Sequence, residues 1–135
     1  ADRADRADRA DRAPVGSDVP LPSSARVAAV IAYAKAQLGK PYSWGADGPN
    51  AFDCSGLTLR AWQQGGVNLP HSSRIQATMG TPVSTPAPGD LVFFYSPVSH
   101  VGIYIGGGMM VAAPSSGDVV KLQSIYRTPT TIRRF

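Results

Sequence analysis

One thiol, two imidazoles and nine aspartates stand out in this 135-residue chain as side chains for acid, base or nucleophilic work, and the chain contains no glutamate. Without glutamate, paired Glu/Asp acid-base chemistry and HExxH zinc chemistry lack their usual parts. One cysteine and two histidines, His71 and His100, are too few nitrogen and sulfur ligands for a structural zinc site. No metal and no cofactor is therefore expected. A single cysteine also excludes an internal disulfide, so Cys54 is either inert packing or a reactive group.

Its context, FDCSGL from Phe52 to Leu57, favours reactivity. An inert buried cysteine fits better among β-branched residues or leucine. Here Asp53 precedes the thiol, and Ser55 and Gly56 follow it. That keeps the position polar and gives a substrate close access to the backbone. If Cys54 opens a helix, the unpaired N–H groups and the positive end of the dipole should lower its pKa and could receive an oxyanion. A nucleophilic thiol also needs a base. His100 begins the alternating stretch HVGIYIG, a strand able to hold an imidazole against the helix start. His71, in LPHSS just before a short helical stretch, reads more simply as a surface or capping residue.

The elements around these residues follow from periodicity. Ser24 can cap a helix on which Val27, Val30, Ile31, Ala34 and Leu38 recur at helical spacing, with Gly39 as its stop. After the turn-rich GKPYSWGADGPNAF, a second helix is predicted from Cys54 to Gln64, ending at Gly65-Gly66, with Leu57, Ala61 and Trp62 toward the core. A third, short helix fits Ser72 to Met79. Beyond Pro88-Gly89 the period falls to two. DLVFFY, HVGIYIG, MMVAA, VVKLQSI and TTIRRF read as strands, and Gly106 to Gly108 as a tight hairpin turn. Helices followed by a strand meander predict an α+β domain whose N-terminal helices pack on a central antiparallel sheet.

The first 22 residues differ in kind. ADRADRADRADRA has no apolar face at 3.6 residues per turn, and PVGSDVPLPSS is rich in Pro, Gly and Ser. Residues 1–22 are read as a low-complexity repeat and linker without activity, and residues 23–135 as one domain. The formal net charge is +4, and the repeat carries four charges of each sign, so the whole excess belongs to the rest of the chain. A basic surface suits a polyanion or an acidic wall polymer. Nucleic acid is not expected as a partner: the basic residues are scattered, with Arg133-Arg134 the tightest pairing. No membrane span is expected either, since no run reaches ~18 apolar residues. Any export signal is expected to have been removed.

GKPYSWGADGPNAFDCSGL, LPHSSRIQ, APGDLVFFY and SHVGIYIGGGMMVAAP, in that order, resemble the NlpC/P60 family of cell-wall cysteine peptidases, in particular its mycobacterial Rip-type peptidoglycan endopeptidases. The likeness runs from about Val27 to Phe135. It implies a papain-like fold and hydrolysis of peptidoglycan stem peptides between D-glutamate and the following diamino acid, diaminopimelate, by a secreted, wall-located enzyme expected to be monomeric. Carried over by position, Cys54 matches the nucleophile and His100 the base. Tyr42 matches a tyrosine near the thiol, and Asp53 and Ser55 match residues that help to hold the stem peptide. One position departs from the pattern. The third catalytic residue, twelve past His100, is Ala112, which can neither accept the Nδ1–H of the imidazole nor stabilise an imidazolium. The chain thus reads as an attenuated enzyme or, alternatively, as a wall-binding module with the same fold.

Overall fold

The computed structural model describes residues 23–135; the Asp-Arg repeat and most of the linker lie outside the described residues. Helix α1 (Ser23–Ala36) buries Val30 and Ala34. It starts one residue before the expected cap, and Leu38, expected on its core face, is instead exposed. The helix ends at Ala36, so Leu38 falls in the terminal turn and leaves the apolar stripe. Gly39, with φ +90°, carries the chain out of that turn, and its N–H donates to the Val120 carbonyl at 2.8 Å.

Helix α2 (Cys54–Gln64) has the predicted bounds, and Leu57, Ala61 and Trp62 are buried as expected. The Trp62 indole N–H also donates to the Gly89 carbonyl at 3.1 Å, giving that buried polar group its partner. Helix α3 (Ser73–Gln76) is only one turn long, against the eight residues expected. The Thr78 hydroxyl takes up the Ile75 carbonyl at 2.7 Å, and Gly80, at φ +69°, turns the chain away.

Six strands follow: β1 (Thr81–Pro82), β2 (Leu91–Phe94), β3 (His100–Gly106), β4 (Met109–Ala112), β5 (Lys121–Ser124) and β6 (Thr131–Arg134). They form one antiparallel sheet in the order β1-β6-β2-β3-β4-β5. The meander expected from the sequence holds for β2 to β5. Gly107 and Gly108, both at positive φ, make the two-residue turn between β3 and β4. The last strand departs from the meander: β6 returns to the far side of β2, pairing Ile132 with Val92. Its Arg134 clamps the buried Asp90 carboxylate through Nε and Nη2 at 2.9 and 2.8 Å. Arg134 of the Arg133-Arg134 pair is therefore engaged by a carboxylate of the fold while staying half exposed. Strand β1 carried no sequence signal, being two residues long and containing a proline at the sheet edge.

The pleat divides the sheet chemically. Leu91, Phe93, Val101, Ile103, Val111 and Ala113 face the helices with Phe52, Leu57 and Trp62. Val92, Phe94, Met110, Ala112 and Ile132 form a smaller cluster on the opposite face. Each large side chain sequestered in this way contributes about 1.5–3 kcal/mol. The alternation also fixes which face His100 joins. It lies directly across from Phe94, and its ring stacks on that of Phe94 at 5.8 Å.

Candidate active site

The start of α2 is held by a dense hydrogen-bond network centred on Asp53. As N-cap, its Oδ1 accepts from the Gly56 N–H at 2.8 Å, and Oδ2 accepts from the Gly45 N–H at 2.8 Å. His71 Nε2 lies 2.7 Å from Oδ1. His71 is thus neither a free surface residue nor a cap of α3, where Ser72 takes that role. It joins the loop before α3 to the residue preceding the thiol. Gln76 ties the same elements together from below. Its amide N–H groups donate to the Ser55 and Pro70 carbonyls at 3.2 and 2.8 Å, and its Oε1 accepts from the Thr58 hydroxyl at 2.6 Å. Gln76 is completely buried, a role that nothing in SSRIQ signals locally.

Gly56, expected from the sequence to give a substrate close access, has a bare Cα that serves the protein's own backbone. A Cβ there would lie 2.1 Å from the Ala46 carbonyl oxygen and 2.9 Å from Asp47 Cα. The loop carrying Trp44, Gly45 and Ala46 is thereby seated directly on the first turn of α2, and the Asp53 N–H donates to the Ala46 carbonyl at 2.8 Å.

Cys54 sits in this frame at the first turn of α2, partly exposed in a cleft of about 520 Å³ shared with Tyr42, Asp53, Ser55, His71 and Ser99. Tyr42 adjoins the thiol as expected. Its phenol pKa is raised, first by burial and then by Cys54 and Asp53 beside it. Asp53 and Ser55 are both nearly buried, so they line the cleft from beneath. Trp44 stands 85% exposed on the cleft wall: its loop lies over the helix start, outside the core.

The thiol differs from the sequence expectation in one respect. The backbone at Val101, Ser55 and Cys54 does pull its pKa down. Burial, followed by the negative charge of Asp53, outweighs that pull, and the net shift is upward. Desolvation penalises the thiolate more than the helix start rewards it. The resting side chain is a protonated thiol, so a base must act when the sulfur attacks.

His100 occupies the adjoining region. Val98 and Ser99, just before β3, line the Cys54 cleft, so the two chain segments meet there. The imidazole itself lines a second cavity, of about 430 Å³, with Tyr95, Ser99, Ser115, Gln123 and Tyr126; Ser99 belongs to both spaces. Burial lowers the His100 pKa, which keeps the ring neutral and able to accept a proton. Its Nε2 is buried with no hydrogen-bond partner. The unsatisfied ring atom is therefore Nε2, where the sequence argument had named Nδ1. Ala112 lies buried on β4, on the same sheet face as the His100 partner Phe94, and its methyl offers nothing to bond.

Cys54 opens helix α2 and His100 opens strand β3 of one α+β domain. Residues 39–133 match the model of the NlpC/P60 family, and the chain belongs to that family. It is 43% identical over 119 residues to the "Probable endopeptidase" of Corynebacterium glutamicum strain R, covering 87% of this chain and 56% of the relative. It is 50% identical over 96 residues to a "Probable endopeptidase" of Mycobacterium tuberculosis, covering 70% of this chain and 25% of that one. The chain thus spans about half or less of the length of these curated relatives. Among solved structures, the NlpC/p60 domain of the peptidoglycan hydrolase SagA superposes with a TM-score of 0.75 at 36% identity, over 81% of this chain and 98% of that one. The peptidoglycan hydrolase RipB from Mycobacterium tuberculosis does so with a TM-score of 0.76 at 32% identity, over 84% and 68%.

Proposed function

We propose that this chain is a peptidoglycan endopeptidase that hydrolyses the stem-peptide bond between D-glutamate and diaminopimelate, with Cys54 as nucleophile and His100 as base. The observation that carries the reading is the setting of the one thiol: the first turn of α2, partly exposed in a cleft lined by Tyr42, Asp53, Ser55 and His71. Family membership and the names of the matched relatives support the substrate class.

In this reading the Cys54 proton passes to His100 as Sγ bonds to the scissile carbonyl carbon. The carbonyl oxygen becomes an oxyanion facing backbone N–H donors at the helix start. The C–N bond then breaks, His100 returns the proton to the departing amine, and a thioester remains on Cys54. Water, deprotonated by His100, attacks the thioester and releases the carboxylate and the thiol. Tyr42, Asp53 and Ser55 line the cleft where the stem peptide would lie.

Turnover is attenuated because His100 lacks a side-chain partner at position 112. A second reading, a peptidoglycan-binding module with little or no hydrolysis, draws on the same observation, the unpartnered His100 Nε2 together with the protonated thiol. Incubating the protein with purified muropeptides and identifying products by mass spectrometry separates the two. Cleavage between D-glutamate and diaminopimelate supports the first, and intact muropeptide that still co-purifies with the protein supports the second. We place this activity in the cell wall, in a secreted monomeric domain comprising residues 23–135. Deleting residues 1–22 should leave the melting temperature and turnover unchanged. A marked rise in turnover on deletion would instead show that the arm inhibits.

A further inference from the structure

The wall of the Cys54 cleft carries one side chain of permanent positive charge, Arg74 on α3. The described residues include four aspartates, and each is already engaged elsewhere. Asp47 pairs with Arg60 at 3.0 Å, Asp90 with Arg134 at 2.8 Å and Asp118 with Lys121 at 2.9 Å. Asp53 is taken up by His71 and by the Gly45 and Gly56 N–H groups. Among the described residues, Arg74 has no ion pair and no hydrogen bond from its side chain, although its guanidinium offers five N–H donors.

The backbone that carries Arg74 is nonetheless firmly held. His71 bonds Asp53 at 2.7 Å, Ser72 Oγ accepts from the Ile75 N–H at 3.2 Å, and the buried Gln76 ties the segment to α2 through the Ser55 carbonyl at 3.2 Å. The charge therefore stands at a fixed place on the cleft wall. Two exposed apolar side chains, Trp44 and Ile75, line the same space. They reduce the water that would screen an anion bound there, which strengthens a charge-assisted hydrogen bond. A cation with a fixed root, no anion of its own and apolar neighbours is a recognition element for a carboxylate brought in from outside.

We propose that Arg74 is a specificity-determining residue, which binds a free carboxylate of the stem peptide through its guanidinium fork and so selects acidic stem peptides over amidated ones. This rests on the Cys54 cleft being the stem-peptide site. D-Glutamate and diaminopimelate are both dicarboxylic amino acids, and each keeps one carboxyl group outside the bond that joins them. Either carboxylate has the planar, two-oxygen geometry that the fork matches. Amidation removes the charge and one of the two acceptors, so the pairing is lost while the size of the group is kept.

The test reads binding, by titration calorimetry on the full chain carrying Cys54→Ala. Three muropeptides are compared: one with both carboxylates free, one amidated at the D-glutamate carboxyl and one amidated at the diaminopimelate carboxyl. With Arg74 in place, one of the two amidations should weaken binding about fivefold, and that one identifies the carboxylate read. Arg74→Gln should bind the free acid about fivefold more weakly and respond to the same amidation less than about twofold. Arg74→Lys, which keeps the charge without the fork, should fall between the two. A parent that binds all three muropeptides alike overturns the proposal, as does a preference for the free acid that survives intact in Arg74→Gln. In both of those outcomes the stem peptide is still bound, and the reading of the cleft stands. Failure to bind any of the three overturns the reading and the proposal together.

Discussion

The two halves of the site are built to different standards. Around Cys54 every support is doubled: Asp53 caps the helix, binds Gly45 and meets His71, while Gln76 binds the first turn of α2 to α3. Around His100 the ring is stacked and buried but its Nε2 bonds nothing, and the buried Ala112 on β4 offers only a methyl. A polar network satisfied throughout fixes a geometry, and one left open permits several. The Cys54 thiol, the proposed nucleophile, is therefore held by a satisfied network, whereas His100, the proposed base, has no such network at its Nε2. The deficit should appear in kcat, with binding and folding largely spared.

The strongest break in this comparison is at the nucleophile. Cys54→Ala should lower turnover by at least about a thousandfold while the fold and muropeptide binding persist. Substantial residual hydrolysis, followed by product mass spectrometry, would move the chemistry elsewhere. Next is the scaffold of the same half. Gly56→Ala forces a Cβ to 2.1 Å from the Ala46 carbonyl, so the Gly45–Ala46 loop must lift from α2. A loss of about 2–4 kcal/mol in denaturant unfolding is expected, and a neutral result would mean that the loop has slack.

A smaller effect sharpens the contrast from the other half. Installing Ala112→Glu or Ala112→His should raise kcat about tenfold, roughly 1.4 kcal/mol of transition-state stabilisation, with KM nearly constant. If neither variant gains, His100 is already fully oriented. The smallest effect is electrostatic. Burial and the Asp53 charge raise the Cys54 pKa, so its alkylation rate should climb with pH above the ~8.5 of a free thiol. Asp53→Asn removes the charge that favours the protonated form, and its curve should move to lower pH. A parent curve at or below the free-thiol range would refute the upward shift.

Some of this was legible in the residue order. The α2 bounds, its buried Leu57, Ala61 and Trp62, the strands β2 to β6 and the glycine turn follow from periods of 3.6 and 2 and from turn chemistry, all of which are local. The DCSG and HVGIY segments, through their resemblance to the family, nominate Cys54 and His100 as the proposed pair, and family membership itself was legible in them. What the chain order could not convey depends on contacts across long separations. The return of β6 to β2, and the burial of Gln76 against a helix start about twenty residues earlier, are decided by which surfaces meet. The sign of the Cys54 shift is a sum: the helix start and its N–H groups pull one way, and burial under the surrounding loops pulls harder the other way. Periodicity assigns a residue to a face of its own element. It does not say how deeply the fold will cover it, and coverage sets the charge state of the thiol and leaves the imidazole with an unsatisfied nitrogen.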